Sequence, residues 1–129
     1  MQANRLEDAN YYILRSLLGY LKSTLYDELL RILNMETLDQ RRKQQSLILL
    51  YKCLHNDGPK YIRDFFSFRE TMYNLRGTGI NLCASKFNLN FMRKSFTYLC
   101  AQLWNGLPTS VKLANDINLF KKLLRTLKL

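Results

Sequence analysis

The chain has 129 residues, of which 47% are hydrophobic and 12% aromatic, enough to bury a core and too much for a disordered tail. Twenty Lys and Arg against ten Asp and Glu leave a net charge of +10, which favours an anionic partner such as nucleic acid or an acidic lipid surface. The three cysteines, Cys53, Cys83 and Cys100, are odd in number and widely spaced, which argues against a disulfide framework and for a reducing compartment.

Over residues 5–20, Ala9, Tyr12, Ile13, Leu17 and Tyr20 recur at helical spacing and predict a first amphipathic helix that Gly19 ends. Ser23 and Thr24 are placed to cap a second helix, Thr24 with Asp27 as a capping box. Its apolar stripe is Leu25, Leu29, Ile32 and Leu33, and it runs to about Asn34. Thr37 with Gln40 repeats the capping logic and starts the longest helix, which reaches about Asn56. Leu47, Leu50, Tyr51 and Leu54 line one face of it, with Ile48 and Leu49 beside them. Arg41, Arg42 and Lys43 sit in its first turns, where cations oppose the helix dipole at modest cost. They read either as a solvated turn or as a secondary basic patch that touches phosphate.

Asn56-Asp57-Gly58-Pro59 is a stop and restart, with Gly for a positive φ and Pro for the first turn of the next helix. That short helix is predicted from Pro59 to Phe66, with Tyr61, Ile62, Phe65 and Phe66 facing inward. Between 67 and 89 the periodicity weakens. Gly77-Thr78-Gly79 marks a loop, and the alternation of Ile80, Leu82, Phe87, Leu89 and Phe91 allows one short β-hairpin around residues 80–92. A helix over Phe96 to Trp104 puts Phe96, Leu99, Cys100, Leu103 and Trp104 on a shared face before Leu107-Pro108 turns the chain. Asp116 or Asn115 caps the last helix, whose apolar side is Ile117, Phe120, Leu123, Leu124 and Leu127. Lys121, Lys122, Arg125 and Lys128 lie on its other side. The sum is one all-α domain over residues 1–129, of about five or six helices, with that hairpin as the only β element.

Catalytic signatures are missing from the pattern. Two-metal phosphoryl transfer needs converging acids, yet the adjacent acids are only Glu7-Asp8 and Asp27-Glu28, both in helical contexts. Gly77-x-Gly79 lacks the third glycine and the preceding strand of a phosphate cradle. His55 is the only histidine, and Cys53 at i−2 points to a different face of a helix. No metal site, cofactor or enzymatic activity is therefore expected of this chain. The longest uncharged run, residues 95–111, is broken by Gln102, Asn105, Gly106 and Pro108, so no transmembrane helix is expected. Early Glu7 and Asp8 argue against a signal or transit peptide, and an intracellular site, cytoplasmic or nuclear, is expected rather than secretion.

Several segments carry a resemblance in their order and spacing. Leu50-Tyr51-Lys52-Cys53-Leu54-His55 is followed by Gly58-Pro59-x-Tyr61-Ile62, then by Asn74-Leu75-Arg76-Gly77. Lys94-Ser95-Phe96, Leu103-Trp104-Asn105-x-Leu107-Pro108 and Phe120-Lys121-x-x-Leu124 complete the set. Together, over roughly residues 35–128, they resemble the C-terminal end of reverse transcriptase polyproteins from LINE-like non-LTR retrotransposons. Position 112 is Lys where that family commonly has Arg, which keeps the charge and loses the bidentate fork. The resemblance implies a segment beyond the fingers, palm and thumb of a polymerase that copies element RNA into DNA at a nicked target. None of the polymerase or endonuclease catalytic residues is present to carry over.

Charge is segregated along the chain. Residues 1–70 carry a net +2 and residues 71–129 a net +8, with Asp116 the only acid in the second half. Together with the resemblance, this predicts a non-catalytic segment that contacts the phosphate backbone of RNA or DNA through Arg93, Lys94, Lys112, Lys121, Lys122, Arg125 and Lys128. The alternatives are a helical module that docks on the polymerase domain or another partner chain, and a relic reading frame without function.

Overall fold

The computed structural model describes residues 2–19, 25–70, 79–83 and 95–127, and these are mostly helical. Seven helices occur among them: α1 (Gln2–Leu18), α2 (Tyr26–Ile32), α3 (Leu38–Leu54), α4 (Lys60–Arg63), α5 (Phe96–Gly106), α6 (Thr109–Lys112) and α7 (Ile117–Thr126). The all-α class expected from periodicity is thus met, with α4 and α6 as single turns. The chain divides into two compact units, Met1–Arg42 and Lys43–Leu129.

In the first unit, α1 packs on α2 through polar aromatic contacts rather than through its apolar stripe. Tyr26 Oη donates to Glu7 Oε2 at 2.6 Å and accepts from Asn10 Nδ2 at 2.9 Å, while the Tyr11 and Tyr26 rings meet edge to face at 5.9 Å. The other carboxylate oxygen of Glu7 accepts the Asp39 N–H at 2.9 Å, satisfying one of the four donors that a helix start leaves unpaired. The consequence corrects the expected orientation of α1. Ile13, Leu17 and Tyr12, predicted to face inward, are 56%, 78% and 60% exposed. The expected caps Ser23 and Thr24 lie outside the described residues. The helix starts instead after Leu25, whose N–H donates to Glu28 Oε2 at 3.4 Å. It ends on Asn34 at φ 50, a left-handed position that Asn tolerates better than most side chains.

The second unit closes around one apolar cluster. Leu47, Leu50 and Tyr51 of α3, Leu82, Cys100, Ala101 and Trp104 of α5, Leu107, Val111, Ala114, and Phe120 and Leu124 of α7 are all buried in it. α3 begins as its spacing predicts, with Thr37 Oγ1 accepting the Gln40 N–H at 3.2 Å. At its end the expected role of Gly58 changes. The left-handed residue is Asn56, at φ 64, and Gly58 is needed for closeness: a Cβ there would stand 2.6 Å from Cys53 Sγ and 2.9 Å from Cys53 N.

α5 starts on Ser95, whose Oγ accepts the Tyr98 N–H at 3.4 Å. It buries Trp104 in its last turn and leaves Phe96, expected in the core, 39% exposed. α7 starts on Asp116, whose Oδ2 accepts the Asn118 N–H at 3.2 Å.

The hairpin expected around residues 80–92 is not supported. No strand occurs among the described residues; Leu82 forms an isolated antiparallel bridge with Phe68, and residues 84–92 lie outside the described set. The flanking bonds are Cys83 N–H to Ser67 O and Arg69 N–H to Asn81 O, both 2.8 Å, so Phe68 and Leu82 are a non-hydrogen-bonded pair and the polar groups of Leu82 point away from it. There the Asn105 side chain takes both of them. Leu82 N–H donates to Asn105 Oδ1 at 2.8 Å, and Asn105 Nδ2 donates to Leu82 O at 2.9 Å. A side-chain amide thus stands at Leu82 where a further strand would pair.

Candidate nucleic-acid interface

The rotation of α7 is fixed by two buried side chains one turn apart. Phe120 is fully buried and stacks on Tyr51 with centroids 4.3 Å apart and planes 22° from parallel. Its ring lies 6.1 Å from that of Trp104. Leu124 follows at i+4 and is 1% exposed. Tyr51 is itself anchored, because its hydroxyl donates to Ala114 O at 2.6 Å. With Phe120 and Leu124 turned in, helical geometry sends Lys121, Lys122 and Arg125 to the far side. Lys122 and Arg125 are exposed and Lys121 is half-buried. No ion pair or hydrogen bond engages these three side chains among the described residues. Arg125 falls in the last turn, where a cation suits the helix dipole.

Lys112 belongs to a different environment from the one expected of it. It is buried, and its Nζ donates to Asn81 Oδ1 at 2.9 Å and to Asn105 O at 3.1 Å. Burial lowers the pKa of this ammonium, and its role is internal: it caps a carbonyl near the end of α5 and ties that end to residue 81. It therefore leaves the set of surface cations. Arg93, Lys94 and Lys128 lie outside the described residues. In the secondary patch, Arg41 and Arg42 are exposed and Lys43 is half-buried. The Arg42 charge acts on Glu7.

Trp104, Asn105 and Lys112 hold the 79–83 segment together. The indole Nε1–H donates to Ile80 O at 2.9 Å, Asn105 brackets Leu82, and Lys112 reaches Asn81. Sequence spacing identifies Trp104 as a buried helix end and misses the role of Asn105. The signal lies in its place: an amide side chain beside a buried Trp, in the last turn of an otherwise apolar helix.

A shallow cleft of about 140 Å³ opens between the end of α3 and the start of α7, lined in part by Lys52, His55, Asp57 and Asp116. His55 stacks on Tyr51 at 4.0 Å, and its Nδ1 lies 2.9 Å from Tyr51 O, so that nitrogen carries the proton toward the carbonyl. Among the described residues no group of three or more His, Cys, Asp or Glu is arranged to hold a metal. Cys53, Cys83 and Cys100 are free thiols, and burial pushes Cys100 up to about 11. Among the described residues no helix is long and apolar enough to cross a membrane. Compared with protein-family models, curated proteins and solved structures, the chain matches none.

Proposed function

We propose that this chain is a non-catalytic C-terminal segment of a LINE-like reverse transcriptase, and that it contributes phosphate contacts to RNA or DNA during target-primed reverse transcription. The observation that carries the binding part is the outward face of α7, where Lys121, Lys122 and Arg125 stand together with no described acid engaging them. The retrotransposon origin rests on the sequence resemblance. Trp104, Leu107, Phe120 and Leu124, which carry part of that resemblance, fall in one buried cluster and act as core residues. Backbone contact without base readout suits cations on long flexible stems that carry no fixed acceptor.

The test is a salt titration of binding to labelled RNA and DNA duplexes, followed by anisotropy. Three phosphate contacts predict a log-log slope of about −2 to −3 from α7 alone, and Lys122→Gln should reduce its magnitude by about 0.9. Binding that ignores salt, or no binding to either nucleic acid, rejects the proposal. A second reading, a helical docking module, is favoured by the uncovered row of α1, where Leu6, Ile13 and Leu17 are each more than half exposed. Under it, Leu17→Glu abolishes capture by the partner polymerase domain and leaves salt-dependent binding as it was.

A further inference from the structure

Spacing predicts that the segment after α3 buries Tyr61, Ile62, Phe65 and Phe66 together, and the structure separates them. Ile62 and Phe66, four apart, turn inward; Phe66 packs against the core cluster and meets Phe96 edge-on at 6.4 Å. Tyr61 and Phe65, also four apart, turn outward and are 68% and 66% exposed, and Phe68 is 45% exposed. Singly exposed apolar residues are ordinary, but here three exposed aromatic rings fall within eight residues of sequence, and a concentration of exposed apolar surface is what marks a binding site.

The same stretch supplies exposed cations at Lys60, Arg63 and Arg69, which outnumber its acids Asp64 and Glu70. The backbone beneath is held. Phe68 bridges the wholly buried Leu82, while Arg63 gives one of its guanidinium N–H donors to the exposed Asn56 side chain and has others to offer.

We infer that Tyr61, Phe65 and Phe68, with Arg63 between them and Lys60 and Arg69 flanking them, form a stacking platform for single-stranded nucleic acid. Rings alternating with cations suit this ligand: each unpaired base presents a π face to stack, and each phosphate falls beside a positive side chain. A duplex satisfies its base faces internally and gains little from exposed rings. The inference rests on the nucleic-acid reading of the chain and adds strand type to it. Because the local charge excess is small, the platform acts mainly through stacking, whereas α7 acts through charge.

That difference separates the two in one experiment. Anisotropy is measured on the full chain with an unstructured single-stranded RNA of about 15 nucleotides and with a duplex of equal length, each across a salt series. Tyr61→Ala with Phe65→Ala should weaken single-strand binding about 100-fold, since each lost stack is worth roughly a factor of ten. Duplex affinity should move less than about threefold, and the salt slope should stay where it was. Tyr61→Phe with Phe65→Tyr keeps both π faces and should bind as the parent does. Lys122→Gln with Arg125→Gln should instead lower both affinities and flatten the slope. Trp104 fluorescence confirms that each variant is folded; if the double variant is not, Tyr61→Ala alone is used, with about a tenfold loss expected.

Unchanged single-strand binding in the ring variants, with loss in the α7 variants, overturns the platform and leaves the backbone proposal standing. No binding by the parent chain overturns both. A parent that sediments as a dimer and becomes monomeric on ring removal, with nucleic-acid affinity intact, overturns the platform and makes the patch a self-contact.

Discussion

Removing the Asn105 amide tests whether the end of α5 closes the second unit. Asn105→Ala takes away the acceptor of Leu82 N–H and the donor to Leu82 O, bonds of 2.8 and 2.9 Å. Leu82 is fully buried and its other backbone edge faces the Phe68 bridge, so neither group finds a new protein partner without moving the segment. Each orphaned buried group costs about 1–3 kcal/mol. Asn105 is only half-buried and some water will reach the gap, so the lower end applies, about 2–3 kcal/mol for the pair. In a unit of this size that lowers Tm by roughly 10 °C or more. The assay is urea denaturation followed by Trp104, the only Trp, which is 3% exposed and bonds to Ile80 in the same segment.

A second substitution sharpens the test. Asn105→Asp keeps the acceptor for Leu82 N–H but sets a carboxylate oxygen against Leu82 O at neutral pH. Below about pH 4 the carboxyl is protonated and can donate again, so the deficit relative to the parent should shrink in acid. A loss under about 0.5 kcal/mol for Asn105→Ala, or an Asn105→Asp deficit that grows as pH falls, would refute the clamp.

Two further outcomes follow from the ionisable groups. Burial opposes ionisation of Glu7, but hydrogen bonds from Tyr26 and from Asp39 N–H outweigh it and hold its pKa below the ordinary value of 4.5. A depressed carboxylate stabilises the fold above its unfolded pKa and loses that contribution as pH falls through the folded value. The first unit should therefore loosen below about pH 4.5, visible as faster amide exchange at Asp39, and Glu7→Gln should remove that pH dependence at a cost of about 1 kcal/mol. Of the three thiols, Cys83 is exposed while Cys53 and Cys100 are buried. Alkylation at pH 8 should label Cys83 alone in the native chain and all three in urea; rapid native labelling of Cys100 would contradict its burial.

How much of the fold is legible in the sequence depends on whether local spacing or distant polar partners decide the outcome. α3 and α7 are readable because capping side chains and apolar rows agree, with Thr37 and Asp116 each accepting an N–H within their own first turn; α5 is readable as a helix, while Phe96 and Leu99 of its expected apolar face are exposed. Periodicity turns the wrong face of α1 inward because its packing is set by Glu7 and Asn10 against Tyr26, at sequence separations that periodicity does not sense. The α4 region fails in a related way. Four apolar residues at 61, 62, 65 and 66 make two adjacent helical rows, and only one of them meets the core. Spacing alone cannot choose between such rows.

Lys112 shows why composition misleads about cations. The sequence groups it with Lys121, Lys122 and Arg125 because all belong to the basic half of the chain, yet its ammonium is bound to Asn81 and to the Asn105 carbonyl. An Arg in its place would need room for a planar fork where two acceptors now take one point charge. The charge excess of the second half thus overstates its interaction surface. The Trp104, Asn105 and Lys112 constellation, the most distinctive part of the sequence, positions a backbone segment. Under the backbone-contact proposal the α7 side chains that would meet phosphate are its ordinary Lys and Arg, whose direction is set from behind by Phe120 and Leu124. Selective loss of binding with an intact fold is accordingly expected from these commonplace residues, and loss of the fold from the recognisable ones.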